Sequence, residues 1–175
     1  MGDPLIVTLL MDAASDEIFQ TQRRAHFPPE LNRVPAHLTL FHHLPGQREA
    51  WVLDVLGRAC AQTPRIDGGA TGFIRLGRGL AYRIVAPDLV AFRNRLVERF
   101  QDVLIAQDRG GFRPHVTIQN KATAARAIAL EAHLTASFEP FPVIGEGLQI
   151  WRYKGGPWEP LGVMLFGGSQ GGETA

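Results

Sequence analysis

Two short segments of the sequence carry the same residue types in the same order. His37–Leu40 reads His-Leu-Thr-Leu and His115–Ile118 reads His-Val-Thr-Ile. Successive side chains of a strand point to opposite faces, so His and Thr of each segment project together while the apolar residues point into a core. Two such strands brought together would place two imidazoles and two hydroxyls around one small volume.

This set of groups suits phosphodiester chemistry. A neutral imidazole accepts a proton from an attacking hydroxyl or water, and a protonated one donates a proton to the leaving oxygen. Histidine can do either at neutral pH because its unperturbed pKa is about 6.5. Threonine hydroxyls can donate hydrogen bonds to the non-bridging phosphate oxygens, which hold charge in the transition state. The sequence does not distinguish the acid from the base.

A single His-x-Thr segment would carry little information. Imidazoles and hydroxyls on strands often do no more than satisfy hydrogen bonds at an edge or surface. Here there are two copies, each with alternating apolar residues and each followed by helical sequence, and this favours a shared functional site.

The elements around the two segments recur in similar order and predict an α+β domain of mostly antiparallel sheets. Strands are expected at Leu5–Met11, Ala36–Leu44, Ala70–Leu76, Leu80–Ala86, Pro114–Gln119, Phe141–Tyr153 and Pro160–Phe166. Helices are expected from a cap at Ser15 to a stop before Pro28, at Gln47–Gln62, from Pro87 onward and at Thr123–Phe138. A polar glycine loop is expected at Gln107–Gly111. Residues 1–167 are predicted to form one domain with two lobes meeting at a cleft, and residues 168–175 a disordered tail.

Composition excludes several classes of protein. The 175-residue chain is 45% hydrophobic and 20% charged, with a formal net charge of +1. This balance argues against a protein that holds long nucleic acid by its overall field. Cys60 is the single cysteine, which excludes a disulfide framework and a multi-cysteine zinc site. The sequence has neither an apolar run of membrane-spanning length nor a signal-peptide pattern, and this favours the cytoplasm.

The paired motifs resemble the 2H phosphoesterase superfamily, in particular its 2′-5′ RNA ligase-like branch, and the resemblance extends from Leu5 to Phe166. It implies a bilobal, pseudo-twofold fold of two mostly antiparallel sheets, with helices outside and the His-x-Thr strands facing a central cleft. It also implies action on RNA 2′,3′-cyclic phosphate ends or 2′-5′ linkages without a metal or cofactor.

By the same resemblance, His37 and His115 correspond to the catalytic acid–base pair, and Thr39 and Thr117 to the hydroxyls that bind phosphate. Better-known ligase-like members have Arg-Phe-Leu-Gly after the first motif, where this chain has Phe41–Gly46, Phe-His-His-Leu-Pro-Gly. A difference in substrate recognition at a retained catalytic centre is expected from this departure.

Three further residues are candidates for substrate binding. Phe41 continues the alternation of the first motif and would stack on a base, although packing in the core or cleft wall is equally compatible with its position. Gln119 is the corresponding residue of the second motif, and Arg113 directly precedes its Pro-His. By the same alternation His43 is expected on the cleft side and His42 on the opposite face, in a structural role.

The predicted function is a phosphodiesterase or ligase acting on RNA ends or small cyclic nucleotides, with no membrane or metal partner. Two alternatives remain open. One is a non-catalytic protein that binds nucleotides or RNA ends, and the other is a phosphodiesterase for a non-RNA cyclic nucleotide. The sequence gives no prediction of the oligomeric state.

Overall fold

The computed structural model describes residues 2–168, and within this range it contains seven strands and five helices. The strands are β1 (Leu5–Met11), β2 (Thr39–Leu44), β3 (Ile66–Arg75), β4 (Leu80–Val85), β5 (His115–Gln119), β6 (Phe141–Tyr153) and β7 (Trp158–Leu165). The helices are α1 (Ala13–His26), α2 (Glu49–Ala61), α3 (Pro87–Phe100), α4 (Ala106–Arg109) and α5 (Ala124–Thr135). The α+β class expected from the sequence is confirmed.

Each predicted helix and strand is present, with ends displaced by a few residues. The loop predicted at Gln107–Gly111 instead overlaps the short helix α4, which no pattern in the sequence indicated. Strand β2 begins at Thr39, so His37 lies in extended chain just before the strand. These two differences matter because both occur beside the paired motifs.

All neighbouring strands pair antiparallel in a single sheet of order β2-β1-β6-β3-β4-β5, with β7 also paired to β6. The long strand β6 belongs to both halves of this sheet. Its residues 141–145 pair with β3, and its residues 147–152 lie between β1 and β7. The two sheets expected from the sequence are therefore halves of one continuous sheet, and the motif strands β2 and β5 form its opposite ends.

One face of the sheet is apolar and is covered by helices. Strand β1 directs Leu5, Val7 and Leu9 to this face, where all three are buried. Fully burying an aliphatic or aromatic side chain of this size contributes about 1.5–3 kcal/mol to stability. The helices contribute Phe19, Val52, Leu56, Leu89, Phe92, Leu96, Phe100 and Leu130 to the same core.

Asp12, and not Ser15, is the N-cap of α1. The Asp12 carboxylate accepts hydrogen bonds from the Ser15 N–H at 3.1 Å and from the Ile144 N–H of β6 at 2.8 Å. The first bond satisfies a main-chain donor that the start of a helix leaves without an internal partner. The second fixes the exit of β1 to the strand that both halves share.

The C-terminal part of the described chain returns to α2, where the Gly168 N–H donates to the Thr63 carbonyl at 2.9 Å. Residues 169–175, which make up most of the predicted tail, lie outside the described residues. Within residues 2–168, every helix is too short or too polar to cross a bilayer. The cytoplasmic location expected from the sequence stays a prediction.

Candidate active site

Both motifs lie on the face of the sheet opposite the helices, here called the motif face and defined by His37, Thr39, His115 and Thr117. Strand pairing, followed residue by residue from β2 through β1, β6, β3 and β4 to β5, keeps the two motifs on this one face. The apolar residues within each motif are fully buried on the other side. Alternation along each strand therefore separates the polar groups from the core, as the sequence predicted.

The two imidazoles are oriented in the same way. The Nδ1 atom of His37 lies 2.7 Å from the Pro35 carbonyl oxygen, and the Nδ1 atom of His115 lies 2.8 Å from the Arg113 carbonyl oxygen. A carbonyl oxygen can only accept, so Nδ1 carries the proton in each ring and Nε2 is left for acid–base chemistry. A main-chain carbonyl two residues upstream fixes the tautomer in both motifs.

His37 is held in its neutral form. Burial lowers its pKa from the usual 6.5 to about 4, against the opposing effect of the hydrogen bond to Pro35. Nearby positive charge lowers the pKa further, in decreasing order from Arg23, His115 and His42. Because His115 is among the groups that lower the pKa of His37, the two motif imidazoles lie close enough to influence each other.

Aromatic rings of the β6–β7 hairpin cover one side of His37. The Trp158 ring packs on the imidazole with centroids 4.6 Å apart, and it also contacts Trp151 with centroids 5.9 Å apart. The indole N–H of Trp151 donates to the Thr8 hydroxyl at 3.0 Å. Trp158 thus forms a wall of the site; the sequence analysis did not single it out.

The hydroxyls of Thr39 and Thr117 are both partly accessible on the motif face. Thr39 pairs with Thr8 across β1–β2, and Thr117 pairs with Ala81 across β4–β5. Within residues 2–168, no side-chain hydrogen bond engages either hydroxyl, whereas Thr8 is already bonded to Trp151. Both motif hydroxyls can therefore donate to a bound anion.

The expectation that Phe41 shares the face of His37 is wrong, because a β-bulge follows the first motif. Thr8 pairs with Thr39 and the preceding β1 residue, Val7, pairs with Phe41, so β2 has one extra residue here. The extra residue reverses the alternation. Phe41 is completely buried and packs edge-on against Phe100, with ring centroids 5.7 Å apart.

The second motif is followed by an equivalent bulge. Ala81 pairs with Thr117 and the preceding β4 residue, Leu80, pairs with Gln119. Gln119 is consequently turned from the motif face and only 8% exposed, and its Oε1 has no hydrogen-bond partner within residues 2–168. Phe41 and Gln119 occupy equivalent positions, as the sequence predicted, but neither extends the motif face.

Arg113 contributes to the site through its main chain. Its carbonyl orients His115, while its side chain is exposed and makes no hydrogen bond or ion pair within the described residues. Ligand binding by the guanidinium stays a prediction.

A buried arginine supports the second motif from the opposite half of the chain. Arg23 of α1 donates from Nη1 to the Thr117 carbonyl at 2.8 Å and from Nε to the Asn32 side chain at 2.9 Å. Asn32 lies in the loop that leads to the first motif. Arg23 therefore joins the approach to one motif to the strand of the other, and burial lowers its pKa to about 10.

Arg93 of α3 makes the equivalent connection in the opposite sense, from the second half of the chain to the first motif. It donates from Nε to the Leu40 carbonyl at 2.8 Å and from Nη2 to the Asp108 carbonyl at 2.7 Å. Asp108 belongs to α4, in the loop that leads to the second motif. Neither arginine was identified from the sequence, because each acts on main-chain atoms distant along the chain.

His42 is not turned away from the site as the sequence predicted. Beyond the bulge that buries Phe41, the register shifts a second time before Leu44, and both His42 and His43 are exposed, with 45% of the His42 side chain accessible. His42 lowers the pKa of His37, so its ring lies near the first motif. Its Nδ1 lies 2.8 Å from the carboxylate of Asp108, which is completely buried. This pair has no counterpart in the second motif, where Asn120 and Lys121 follow Gln119.

Within residues 2–168, His, Cys, Asp and Glu side chains form no group of three that could hold a metal ion. The donor groups on the motif face are imidazoles and hydroxyls. These groups can exchange protons with a substrate and donate hydrogen bonds to its phosphate oxygens.

Comparison with known families gives one match. The model described as the 2′-5′ RNA ligase superfamily matches residues 11–157, which include both motifs. Among curated proteins, none matches the chain in sequence.

Solved structures share the fold at low sequence identity. TT0787 of Thermus thermophilus is 18% identical with a TM-score of 0.64, and the match covers 95% of this chain and 99% of that one. LigT of E. coli, solved with 3′-AMP, is 17% identical with a TM-score of 0.65 over the same shares. A protein described as a phosphoesterase is 17% identical with a TM-score of 0.65, covering 94% of this chain and 98% of its own.

Proposed function

Because the chain belongs to the 2′-5′ RNA ligase superfamily, we propose that it opens or forms phosphodiester bonds at RNA 2′ positions by acid–base catalysis with His37 and His115. The observation that carries this proposal is the matched orientation of the two rings. Each presents Nε2 to the motif face because a carbonyl two residues upstream holds Nδ1. Two imidazoles fixed in this way can act on opposite sides of one phosphorus atom.

For hydrolysis of a 2′,3′-cyclic phosphate, His37 is the base. Its depressed pKa keeps it neutral, so Nε2 can take a proton from the attacking water as the new phosphorus–oxygen bond forms. His115 gives a proton to the ribose oxygen as the bond between that oxygen and phosphorus breaks. The products are a phosphomonoester and a free hydroxyl. In ligation a 5′-hydroxyl replaces water as the nucleophile and the two histidines keep these roles, which exchange when a 2′-5′ linkage is cleaved by the neighbouring 3′-hydroxyl.

The hydroxyls of Thr39 and Thr117 donate to the non-bridging oxygens, where negative charge grows in the transition state. Trp158 offers an aromatic surface beside His37 on which a base can stack. The E. coli LigT structures with 3′-AMP and with ATP support a nucleotide ligand for this fold. RNA ends are the substrate that fits a site of this chemistry in this superfamily.

A substrate panel tests the proposal. Purified protein is incubated in excess EDTA with 2′,3′-cyclic mononucleotides, oligoribonucleotides ending in a cyclic phosphate, 2′-5′-linked dinucleotides and 3′,5′-cyclic nucleotides. We expect turnover of the 2′,3′-cyclic or 2′-5′-linked compounds, undiminished by the chelator. Replacement of His37 or His115 by Ala should abolish it, while His133→Ala, an exposed histidine of α5, should not.

Other outcomes separate the alternatives. Exclusive cleavage of 3′,5′-cyclic nucleotides would indicate a phosphodiesterase for a non-RNA substrate. Stoichiometric binding without product from any compound would indicate a nucleotide-binding protein. Near-normal turnover in both folded histidine variants would remove the mechanism.

A further inference from the structure

A third histidine faces the motif surface and takes no part in the mechanism above. His42 lies on β2 beyond the bulge, and its ring nitrogen Nδ1 is 2.8 Å from Asp108 Oδ1. The main-chain N–H groups of His42 and His43 also donate to this carboxylate, each at 3.0 Å. Both the ring and the main chain of His42 are thus fixed to one carboxylate.

Asp108, which belongs to the short helix α4, anchors His42 from the buried side. It is completely buried, and Arg93 donates to its carbonyl at 2.7 Å. Burial alone would raise the pKa of Asp108, but the hydrogen bonds from the His42 side chain and from the His42 and His43 main chain bring it below the usual value. The carboxylate is therefore ionised at neutral pH and can act only as an acceptor.

The orientation of His42 follows from this acceptor. Because Nδ1–H donates to Asp108, Nε2 points away from the carboxylate, on a side chain that is 45% exposed. A protonated imidazole whose Nδ1–H is bonded to a carboxylate can donate its Nε2–H to an anion. Of the titratable groups around the His42 ring, Asp108 bonds its Nδ1 and His37 is near enough for its own pKa to be lowered by His42, while Arg93 reaches the main chain of Asp108.

The position of His42 sets what it can reach. It lies three residues beyond Thr39, and the bulge shortens the path, so the two are separated by about 7–10 Å along the strand. A phosphate bound by the Thr39 hydroxyl is therefore too distant for close contact with the His42 ring, whereas the next phosphate of a ribonucleotide chain is near enough. The second motif offers no such group, so the extra contact lies on one side of the catalytic pair.

We propose that His42, held by Asp108, binds the phosphodiester adjacent to the processed phosphate, so that this protein prefers oligoribonucleotide ends to mononucleotides. The inference rests on the proposed function, because the subsite is defined relative to the phosphate between His37 and His115. A charge-assisted hydrogen bond from His42 Nε2 to a non-bridging oxygen supplies the preference.

Steady-state kinetics on two matched substrates tests the subsite. One is a 2′,3′-cyclic mononucleotide and the other a dinucleotide with the same 3′-terminal cyclic phosphate and one internal phosphodiester. We expect His42→Ala to lower kcat/KM on the dinucleotide about tenfold more than on the mononucleotide, mainly through KM. His43→Ala is the matched control, since its side chain makes no bond within the described residues, and it should not change the ratio of the two rates.

A dinucleotide whose internal linkage is uncharged provides a second test of the contact between His42 and that phosphate. Replacing the internal phosphodiester of the dinucleotide by a methylphosphonate should lower kcat/KM of the wild type by about the same tenfold. The same replacement should change kcat/KM of the His42→Ala variant little, because the variant has already lost one of the two partners of the interaction. Equal losses on both substrates, or equal methylphosphonate losses in wild type and variant, would overturn the inference. His42→Gln provides a second variant if His42→Ala unfolds.

The two levels of the proposal fail differently. Turnover of the mononucleotide by wild type with no special effect of His42 would leave the catalytic function intact and remove the subsite. Without turnover of any substrate the catalytic proposal fails. The subsite is then judged by the affinity of a 3′-phosphorylated dinucleotide, which must fall in His42→Ala and not in His43→Ala if the inference is correct.

Discussion

Arg23 and Thr117 belong to opposite halves of the chain, and the Arg23 guanidinium donates to the Thr117 carbonyl at 2.8 Å. Through this bond α1, the helix that follows β1, holds β5, the strand of the second motif. Arg93 holds the first motif through the Leu40 carbonyl in the same way. Since β2 and β5 are the ends of the sheet, these crossed contacts hold each motif strand to a helix or loop from the other half of the chain.

Replacing Arg23 by Met should therefore affect both stability and catalysis. The variant leaves the Asn32 side chain and the Thr117 carbonyl without their donor, and leaving buried polar groups unsatisfied costs about 1–3 kcal/mol each. We expect a lower free energy of unfolding, measured by urea denaturation. We also expect a lower kcat, although His37 and His115 themselves are not substituted. Arg24→Met is the control: this neighbour is 61% exposed and bonds the exposed side chains of Glu17 and Thr21, so its loss should cost much less. Equal effects of the two substitutions would contradict the supporting role of Arg23.

The depressed pKa of His37 predicts a pH dependence of stability. Its pKa is about 4 in the folded protein and 6.5 ordinarily, so between these values the unfolded chain binds more protons. The free energy of unfolding should rise with pH across this window and lose the contribution of His37 as pH falls. His26 also has a pKa lowered by burial and adds to the slope.

The variant His37→Gln isolates the contribution of His37. Urea denaturation at several pH values between 4 and 7 should give a shallower dependence of the free energy of unfolding on pH for this variant than for wild type. If the free energy of unfolding depended on pH equally in wild type and His37→Gln, folding would not lower the pKa of His37.

Removing Trp158 should raise the pKa of His37. The indole ring packs directly on the imidazole and excludes water from it, so Trp158→Ala increases its solvation. Titration of the imidazole by NMR should show the pKa moving from about 4 towards 6.5. The acidic limb of the kcat/KM profile should shift in the same direction, and an unmoved NMR titration would mean that Trp158 does not contribute to the burial.

The motif hydroxyls should act mainly on the transition state. Thr39→Val and Thr117→Val keep the shape of the side chain and remove the donor, so each should lower kcat by about a hundredfold with a smaller change in KM. The Ser variants should retain most of the activity. Thr21→Val, at an exposed position of α1, serves as the control. An equal loss in the Ser and Val variants would indicate a packing role.

The positions of most elements could be predicted because they depend on local chemistry. Branched apolar residues at Leu5–Met11 form β1 as expected, and Pro87 begins α3, where a missing N–H is tolerated. The internal correspondence of the two motifs was also visible, since alternation alone places each His and Thr on one face.

The positions after the motifs could not be predicted by the same rule. Alternation assigned Phe41 to the motif face and His42 to the other, and the bulge between Leu40 and Phe41 reversed both assignments. A bulge depends on how many residues the partner strand uses to cover the same distance, which is a property of the pair β1–β2 and not of either sequence.

The sequence by itself determined the α+β class, the order of elements, and two pairs of histidine and threonine facing away from the core, because these follow from side-chain periodicity. Only the tertiary structure decided that His37 packs against Trp158, that Arg23 and Arg93 cross between the halves, and that Asp108 holds His42. The physical reason is that burial, electrostatic influence and hydrogen bonds to main-chain carbonyls depend on distances in space between residues far apart along the chain.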